Sequence, residues 1–453
     1  MHTASRRTAA SSLALAAALV AALVAVLGPP AGAAAGAATG RGDATEVSWR
    51  VHRVSVATDG TPASAPDDDQ AAYRVPSISD DGRFVAFSSS AESLVAGDDN
   101  GVADVFVHDR RTNRTRRISV GPSGRQAGGS SFAPAISGDG RFVVFASRAT
   151  NLARADRDRR PDVYLHDRRT GVTRLVSVEV PAPWSRGDQL APAVSVHGSY
   201  VAFSAHRVRR DVGSVSVVFL RDRRTGTTER VAGTVTGYTS GPQLSARGRF
   251  VAVTSTAALT PDDTDESSDV FVVDRATGVV RRVDVGEGRS SRTAVVMPSM
   301  SGDGHRVAVQ VFEGTSREGS TTNIWVWDRP SGVARVVTST SDGRVLAAGA
   351  APGPARPTAM SGNGRHVAFV AAGRLTPRDR NPGWDLYVRD LRTDALSLVT
   401  EGYAEERVDG STFGVDADRD GSALAFVSDA TELVPRDTTD GPEVFVALRR
   451  ISR

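Results

Sequence analysis

Acidic and amide side chains recur in this sequence at one spacing, Asp-x-[Asp/Asn]-x-x-x-Asp, each time just before a short apolar segment. The full pattern occurs four times, at Asp98, Asn100 and Asp104; Asp156, Asp158 and Asp162; Asp263, Asp265 and Asp269; and Asp379, Asn381 and Asp385. A weaker copy consists of Asp437, Thr439 and Glu443. Carboxylate and amide oxygens suit Ca²⁺, which takes roughly six to eight oxygen ligands. The spacing therefore makes these loops candidate calcium sites.

The same side chains also suit a structural role, because Asp and Asn accept hydrogen bonds from nearby backbone N–H groups and stabilise tight turns. Each loop offers only three side-chain ligands and lacks the bidentate Glu of a helix–loop–helix calcium site. Asp416, Asp418 and Asp420 resemble the start of such a site, but Val427 stands where its Glu would be. We favour the turn role and keep calcium as the alternative; the sequence indicates no other cofactor.

The sequence contains none of the common motifs for other kinds of catalytic site. It has no cysteine, which excludes disulfides, thiolate metal sites and a cysteine nucleophile. It also has no Gly-x-Ser-x-Gly, His-Glu-x-x-His or phosphate-loop motif. His108 and His166 share one repeat position that Arg221 and Val273 fill elsewhere, which indicates an ordinary strand position. We therefore expect that the protein is not an enzyme.

Seven copies of one unit position these loops. Each copy contains a variant of Pro-x-Ile-Ser-x-Asp-Gly-Arg-Phe-Val-x-Phe, and the copies begin near residues 76, 134, 192, 242, 298, 358 and 415. The turn glycines, which are 50 to 60 residues apart, are Gly82, Gly140, Gly198, Gly248, Gly304, Gly364 and Gly421. Repeats of this length indicate a propeller or solenoid, and they fill residues 46–453 without space for a second domain.

Each unit predicts four short strands, a to d, with an Asp-Gly turn between a and b. Sheets with apolar residues on both faces must be covered on both. Seven four-stranded antiparallel blades packed around an axis meet that need, so the fold class is an all-β, seven-bladed β-propeller. The segment Trp49–Val56 matches strand d, whereas the last unit stops after strand c. We predict that this N-terminal strand completes the last blade.

The repeats resemble the TolB-like family of WD-type β-propeller repeats. The resemblance rests on the motif above, on the later Asp-Val-Phe-Val-x-Asp and on the closing Arg-x-Ser-Val, and it covers about residues 46–453. It implies a propeller that serves as a protein-binding platform in the cell envelope or as the propeller part of a larger peptidase. The chain departs from TolB in having seven repeats and no separate N-terminal α/β domain.

The N-terminus predicts export. Arg6 and Arg7 precede an apolar run, Ala9–Leu27, and Ala31-Gly32-Ala33 fits a cleavage site, so residues 1–33 are predicted to be a signal peptide and 34–45 a linker. An uncleaved membrane anchor is the alternative; after cleavage no span is expected. Without residues 1–33 the chain has 53 basic and 52 acidic residues, which argues against a nucleic-acid partner.

These observations predict a secreted or envelope-associated, monomeric, non-catalytic propeller that binds a protein or a cell-wall or extracellular polymer. Antiparallel order places the b–c and d–a loops on one face, and that face carries the longer segments Ala57–Val75, Gly121–Ala133, Glu179–Ala191 and Ser339–Pro357. The paired arginines of the c–d turns, such as Arg168-Arg169, are expected to be solvated charges neutralised by the neighbouring Asp. The alternative function is a carbohydrate-active lyase or hydrolase with its site at the mouth of the central channel.

Overall fold

The computed structural model contains seven four-stranded antiparallel sheets, one for each sequence repeat. The structure describes residues 46–63, 75–156, 160–181, 183–184, 188–211, 213–234, 237–265, 267–286, 293–313, 321–339, 358–381, 383–403, 408–435, 437, 439 and 441–452. The predicted signal peptide and linker lie outside this part of the chain. Residues 46–452 form a single unit, and none of its described segments is a helix long and apolar enough to cross a membrane.

Blades 1 to 3 follow chain order with strands a to d. Blade 1 contains β2 (Ser77–Ile78), β3 (Phe84–Ser89), β4 (Asp104–Asp109) and β5 (Arg114–Arg117). Blade 2 contains β6 (Ser131–Ile136), β7 (Phe142–Ser147), β8 (Asp162–Asp167) and β9 (Val172–Leu175). Blade 3 contains β10 (Asp188–Val194), β11 (Tyr200–Arg209), β12 (Gly213–Asp222) and β13 (Thr227–Ala232).

Blades 4 to 6 repeat this order. Blade 4 contains β14 (Thr239–Leu244), β15 (Phe250–Ser255), β16 (Asp269–Asp274) and β17 (Val279–Arg282). Blade 5 contains β18 (Ala294–Met300), β19 (Arg306–Glu313), β20 (Thr321–Asp328) and β21 (Val333–Val336). Blade 6 contains β22 (Ala359–Met360), β23 (His366–Ala372), β24 (Trp384–Asp390) and β25 (Leu396–Leu398).

Blade 7 joins the two ends of the propeller. Its strands a to c are β26 (Thr412–Ala417), β27 (Ala423–Ser428) and β28 (Glu443–Ser452), and its strand d is β1 (Glu46–Arg53). The β1 strand pairs antiparallel with β28 from Glu46–Ser452 to Arg53–Phe445. The predicted all-β, seven-bladed propeller and its closure by the N-terminal strand are therefore confirmed.

The hydrophobic core lies between adjacent blades. Val and Phe side chains of strands b and c point alternately toward the two neighbouring sheets, so each interface is built from two blades. Phe87 and Val446, from blades 1 and 7, share one of these clusters. Stacked ring pairs join strands b and c within five blades, with centroids 5.6–6.1 Å apart.

The first arginine of each c–d pair packs between blades, which contradicts the expectation of solvated turn charges. The Arg168 guanidinium lies 3.8 Å from the centroid of the Phe84 ring in blade 1 and also donates to the Gly140 carbonyl oxygen. Gly140 has φ +68°, and a Cβ there would lie 2.3 Å from the Phe84 ring, so the turn requires glycine on both counts. In blades 1, 2, 4 and 6 the Asp of the turn instead pairs with the Arg immediately before strand b, as Asp167 does with Arg141 at 2.7 Å.

Blades 3 and 5 lack the acidic b–c loop, and their b–c hairpins are longer instead. Strands β11 and β12 have ten residues each and β19 and β20 have eight, compared with six in β3 and β4. The face with the b–c and d–a loops, hereafter the loop face, therefore carries two protruding hairpins among compact acidic loops. The opposite face, with the a–b and c–d turns, is hereafter the turn face.

Candidate functional site

An arginine from strand d closes the acidic loop of blade 1. Arg117 Nη1 lies 3.1 Å from Asp98 and 3.6 Å from Asp104, both of which are buried. Asn100 donates to Asp104 at 3.1 Å and to the Ala127 carbonyl oxygen, and its own oxygen accepts from the Val102 N–H. The middle residue thus stabilises the turn while the two carboxylates face a guanidinium.

Blade 7 is closed in the same way, although its arginine comes from the other end of the chain. Arg53 on β1 forms ion pairs with Asp437 and, at 2.9 Å, with Glu443, and both carboxylates are buried. Burial raises the pKa of Glu443 to about 7, with Arg53 opposing the rise. One guanidinium therefore faces two buried carboxylates, as in blade 1.

The blade 4 loop brings three carboxylates together. Oxygens of Asp263, Asp265 and Asp269 lie within 4.8 Å of one another, which is a spacing that can hold a metal ion. Arg282 of strand d lies 3.9 Å from Asp263 and 3.8 Å from Asp269, and its Nε lies 3.2 Å from the more exposed Asp262. The guanidinium is present here but stands farther from the loop than in blade 1.

The loops of blades 2 and 6 have no arginine at this position. Leu175 and Leu398 replace it, and each is paired across the sheet with a tyrosine, Tyr164 or Tyr387. The tyrosine hydroxyl donates to the first carboxylate of the loop, Asp156 at 2.6 Å in blade 2 and Asp379 in blade 6. Asp158 of blade 2 lies outside the described residues.

In blades 1, 2 and 6 the third residue of the loop accepts a hydrogen bond from a hydroxyl that lies two residues after strand d, which in blade 1 is Ser119. Ser177 donates to Asp162 at 2.6 Å, and Thr400 donates to Asp385 at 2.7 Å. In blade 6 the buried Asp385 also faces Asp379 and Asn381, and its pKa is raised to about 6, mainly by burial. Asn381 accepts a hydrogen bond from the Gly383 N–H, so it shares the turn role of Asn100.

One cross-strand pair divides the five loops into two classes. The loops of blades 1, 4 and 7, hereafter the closed loops, have an arginine counter-charge. In these blades Phe on strand c lies opposite Arg on strand d, in the pairs Phe106–Arg117, Phe271–Arg282 and Phe445–Arg53. The loops of blades 2 and 6, hereafter the open loops, have leucine in place of that arginine, in the pairs Tyr164–Leu175 and Tyr387–Leu398. The spacing within each loop predicts the acidic residues but not their partners on strand d, although the alternation of Arg and Leu at this strand d position is visible when the repeats are aligned.

The central channel is the second candidate site. It has a volume of about 800 Å³ and is lined by strands a of all seven blades, mainly by small, apolar and backbone groups. The carboxylates of its lining are Asp80, near the turn face, and Asp416 of blade 7. Burial raises the pKa of both, that of Asp416 to about 6. Asp416 Oδ2 accepts a hydrogen bond from the Ile78 N–H of the next blade at 2.9 Å. The hydroxyls of Ser77 and Ser299 accept the equivalent backbone N–H of the blade that follows each of them.

Strand a carries backbone strain beside the channel. Bulges interrupt the pairing of strands a and b in blades 2 to 5, where Ala133, Ala191, Gly241 and Met297 adopt φ values of 48–62° immediately before a proline. Non-glycine residues rarely adopt this region, and such strain clusters at functional sites. At the turn-face end, a closed cycle of backbone hydrogen bonds joins Asp80, Gly138, Val196, Ala246, Gly302, Gly362 and Asp418 through their turns.

The histidines noted in the sequence are packed into the blades. His108 and His166 are buried, and each ring nitrogen lies 3.0 Å from a threonine hydroxyl, Thr115 or Thr173. Those hydroxyls donate in turn to the Val56 and Val120 carbonyl oxygens at the end of the preceding strand d. Burial lowers the pKa of both histidines to about 4. They connect blades and lie away from the acidic loops.

The fold, the acidic loop face and the channel define a seven-bladed β-propeller with a closed ring. No protein-family model and no curated protein sequence matches the chain. Among solved structures, it is similar to the oligogalacturonate lyase of Vibrio parahaemolyticus, with 11% identity and a TM-score of 0.53 over 89% of this chain and 98% of that one.

Two further solved propellers are similar in structure to this chain. The β-propeller domain of the Trilobed protease from Pyrococcus furiosus has 11% identity and a TM-score of 0.50, with 84% of this chain and 96% of that one covered. A putative TolB from Agrobacterium tumefaciens has 14% identity and a TM-score of 0.39, with 64% and 88% covered. The likenesses to the oligogalacturonate lyase and to the Trilobed protease domain support the propeller fold, and at 11% identity they show nothing beyond it.

The prediction that the chain is not an enzyme is wrong. It rested on the absence of known motifs, yet the lyase is an enzyme of which 98% aligns with this chain. A propeller of this extent can therefore be a complete enzyme, because blades can place catalytic groups around the channel without a short sequence motif.

Proposed function

We propose that the protein binds a protein or a cell-surface polymer through its loop face, centred on the long hairpin of blade 3. The observation that carries the proposal is Val208, which is 82% exposed near the tip of this hairpin. A large apolar side chain held by a rigid scaffold and surrounded by polar groups is typical of a docking surface.

Aromatic and cationic groups surround the hairpin. The Arg207 guanidinium lies 4.7 Å from the centroid of the Trp184 ring in the preceding d–a loop. The His206 ring lies 5.3 Å from the half-exposed Tyr238 ring in the following d–a loop. Aromatic residues and arginine are enriched at binding hot spots, because each offers apolar area together with a hydrogen-bonding group.

We further propose that this binding takes place outside the cytoplasm and that the repeats are TolB-like. The charged and then apolar order of residues 1–33 supports export. The motif shared by the seven repeats supports the family, and the similar fold of known propellers is compatible with it.

Cosedimentation with the insoluble cell-wall fraction, and capture of purified secreted proteins from the producing cells, test the proposal. Val208→Glu should weaken binding at least tenfold, because a charge replaces the apolar centre of the surface. Val333→Glu is the matched control, since Val333 is an exposed valine at the start of β21 on the turn face. Equal binding by both variants, or no binding by the wild type to either fraction, would refute the proposal.

A second candidate function is a carbohydrate-active lyase or hydrolase with its site at the channel mouth. Asp416 favours it, because a carboxyl with a pKa of about 6 can exchange a proton near neutral pH. The oligogalacturonate lyase supports the substrate class by its fold alone. Turnover of polyuronate and neutral polysaccharides by the purified protein, abolished in Asp416→Asn, would establish this function, and inactivity on both classes would exclude it for them.

A further inference from the structure

The blade 6 loop contains buried negative charge without a positive partner. Asp379, Asn381 and Asp385 are at most 5% exposed. Among the described residues, the oxygens of Asp379 and Asp385 contact hydroxyl and amide groups, and no arginine forms an ion pair with them. Transfer of two carboxylates out of water without a counter-charge is costly, so the loop requires a cation or a proton.

One buried oxygen in this loop has no hydrogen-bond partner. Asp385 is 1% exposed, and its Oδ1 atom accepts the Thr400 hydroxyl. Its Oδ2 atom has no partner at normal hydrogen-bond geometry; the Asn381 amide and the Asp379 carboxylate face the same carboxyl group. Buried polar atoms are almost always satisfied, so an orphan carboxylate oxygen directed into a cluster of oxygen ligands indicates a missing cation.

The equivalent loops of blades 1 and 7 show what fills this position elsewhere in the molecule. There the guanidinium of Arg117 or Arg53 lies between the first and third acidic residues. Blade 6 has Leu398 at the same place in strand d, opposite Tyr387. The same acidic loop therefore occurs with an internal cation in blades 1, 4 and 7 and without one in blade 6.

We propose that the blade 6 loop binds a calcium-like divalent cation through Asp379, Asn381 and Asp385, at the position that arginine occupies in blades 1 and 7. Two carboxylates and one amide provide up to five oxygen ligands, and Ca²⁺ accepts such irregular sets more readily than Mg²⁺, which requires a nearly ideal octahedron. The inference is independent of the proposed function, because it concerns a loop outside the blade 3 hairpin.

Isothermal titration of the EDTA-treated, dialysed propeller with Ca²⁺, and with Mg²⁺ as a comparison, tests the proposal. We expect wild-type protein to bind Ca²⁺ and Asp385→Asn to lose one equivalent. Asp98→Asn in blade 1 is the matched control and should retain the wild-type stoichiometry, because Arg117 supplies the cation there. Calcium should also raise the wild-type Tm by about 3 °C at roughly 100 times the Kd.

Leu398→Arg provides a second variant that leaves both carboxylates in place. It should abolish the same equivalent of Ca²⁺ binding by supplying the guanidinium internally, and its Tm in EDTA should show whether it folds. Absence of Ca²⁺ binding by the wild type would overturn the proposal. Full stoichiometry in Asp385→Asn, together with a higher Tm in EDTA, would show that the loop holds a proton instead.

Discussion

Blades 6 and 7 are neighbours with the same acidic loop, and they neutralise it differently. In blade 7, Arg53 forms ion pairs with Asp437 and Glu443. In blade 6, Leu398 takes that place, and the Tyr387 hydroxyl donates to Asp379. In both loops the first carboxylate accepts the backbone N–H of the middle residue, from Thr439 to Asp437 in blade 7 and from Asn381 to Asp379 in blade 6.

The difference shows that the acidic loop and its counter-charge are separate modules of the repeat. The loop comes from the b–c connection, whereas the cation comes from strand d, which in blade 7 is the N-terminal strand. A single cross-strand pair therefore decides whether a blade supplies its own positive charge. The comparison can be tested by removing the strand, the arginine, the acid and the hydroxyl in turn.

Deletion of residues 46–56 should have the largest effect. It removes β1, which pairs with β28 over its whole length, and with it the packing of Trp49 and Val51 against the blade 6–blade 7 core. We expect the loss to match much of a typical total stability, about 5–15 kcal/mol. Thermal unfolding by circular dichroism measures it, with deletion of residues 1–45 as the control. If both truncations melted alike, strand closure would contribute nothing.

Arg53→Leu converts the blade 7 pair into the type found in blade 6. It leaves Asp437 and Glu443 buried without a counter-charge, which should cost about 3–5 kcal/mol in chemical unfolding. Arg50→Leu is the control, because Arg50 is exposed on the same strand, and its effect should stay within about 0.5 kcal/mol. Equal effects of the two substitutions would mean that the ion pairs of blade 7 contribute nothing measurable to the free energy of unfolding.

Glu443→Gln should change how stability depends on pH. The folded-state pKa of Glu443 is raised from 4.5 to about 7, so its stabilising contribution is complete below pH 4.5 and is lost as the pH rises through 7. Wild-type protein should therefore lose about 2–3 kcal/mol relative to Glu443→Gln between about pH 5 and about pH 8. Urea unfolding across this range measures the difference, and parallel curves would contradict the raised pKa.

Tyr387→Phe should have the smallest effect of the four. It removes the hydroxyl that donates to Asp379 and lies 3.1 Å from the Gly373 carbonyl oxygen, which should cost about 1–2 kcal/mol. The reciprocal Phe106→Tyr in blade 1 should not stabilise, because Arg117 already pairs with Asp98. A gain in blade 1 equal to the loss in blade 6 would remove the distinction between the two classes of loop.

The fold was predictable because the same strand and turn motif occurs seven times in the sequence. The Asp-Gly turns around residues such as Gly140, together with apolar alternation, specified the hairpins, and Trp49–Val56 specified the strand that closes the ring. The acidic residues were equally visible. In each case the signal is local, since a turn or a strand depends on residues close in sequence.

Contacts between strands and between blades were harder to predict. Arg117 lies 13 residues after Asp104 in the sequence, and Arg53 is separated from Glu443 by almost the entire chain. The packing of Arg168 on Phe84 depends on the angle between two sheets, which no spacing within one repeat encodes. The channel position of Asp80 and Asp416 is hard to predict for the same reason, since the two residues line one channel only when the ring is formed.

The pairing of Glu46 with Ser452 has a consequence for chain connectivity. It brings the start of β1 beside the end of β28 on the turn face, where every other blade has a short c–d turn. A peptide as long as the c–d turn of blade 2, residues Arg168 to Gly171, could join them, and the chain could then be opened at any surface loop. The order of strands around the propeller is therefore circular, so the fold does not depend on which surface loop contains the chain ends.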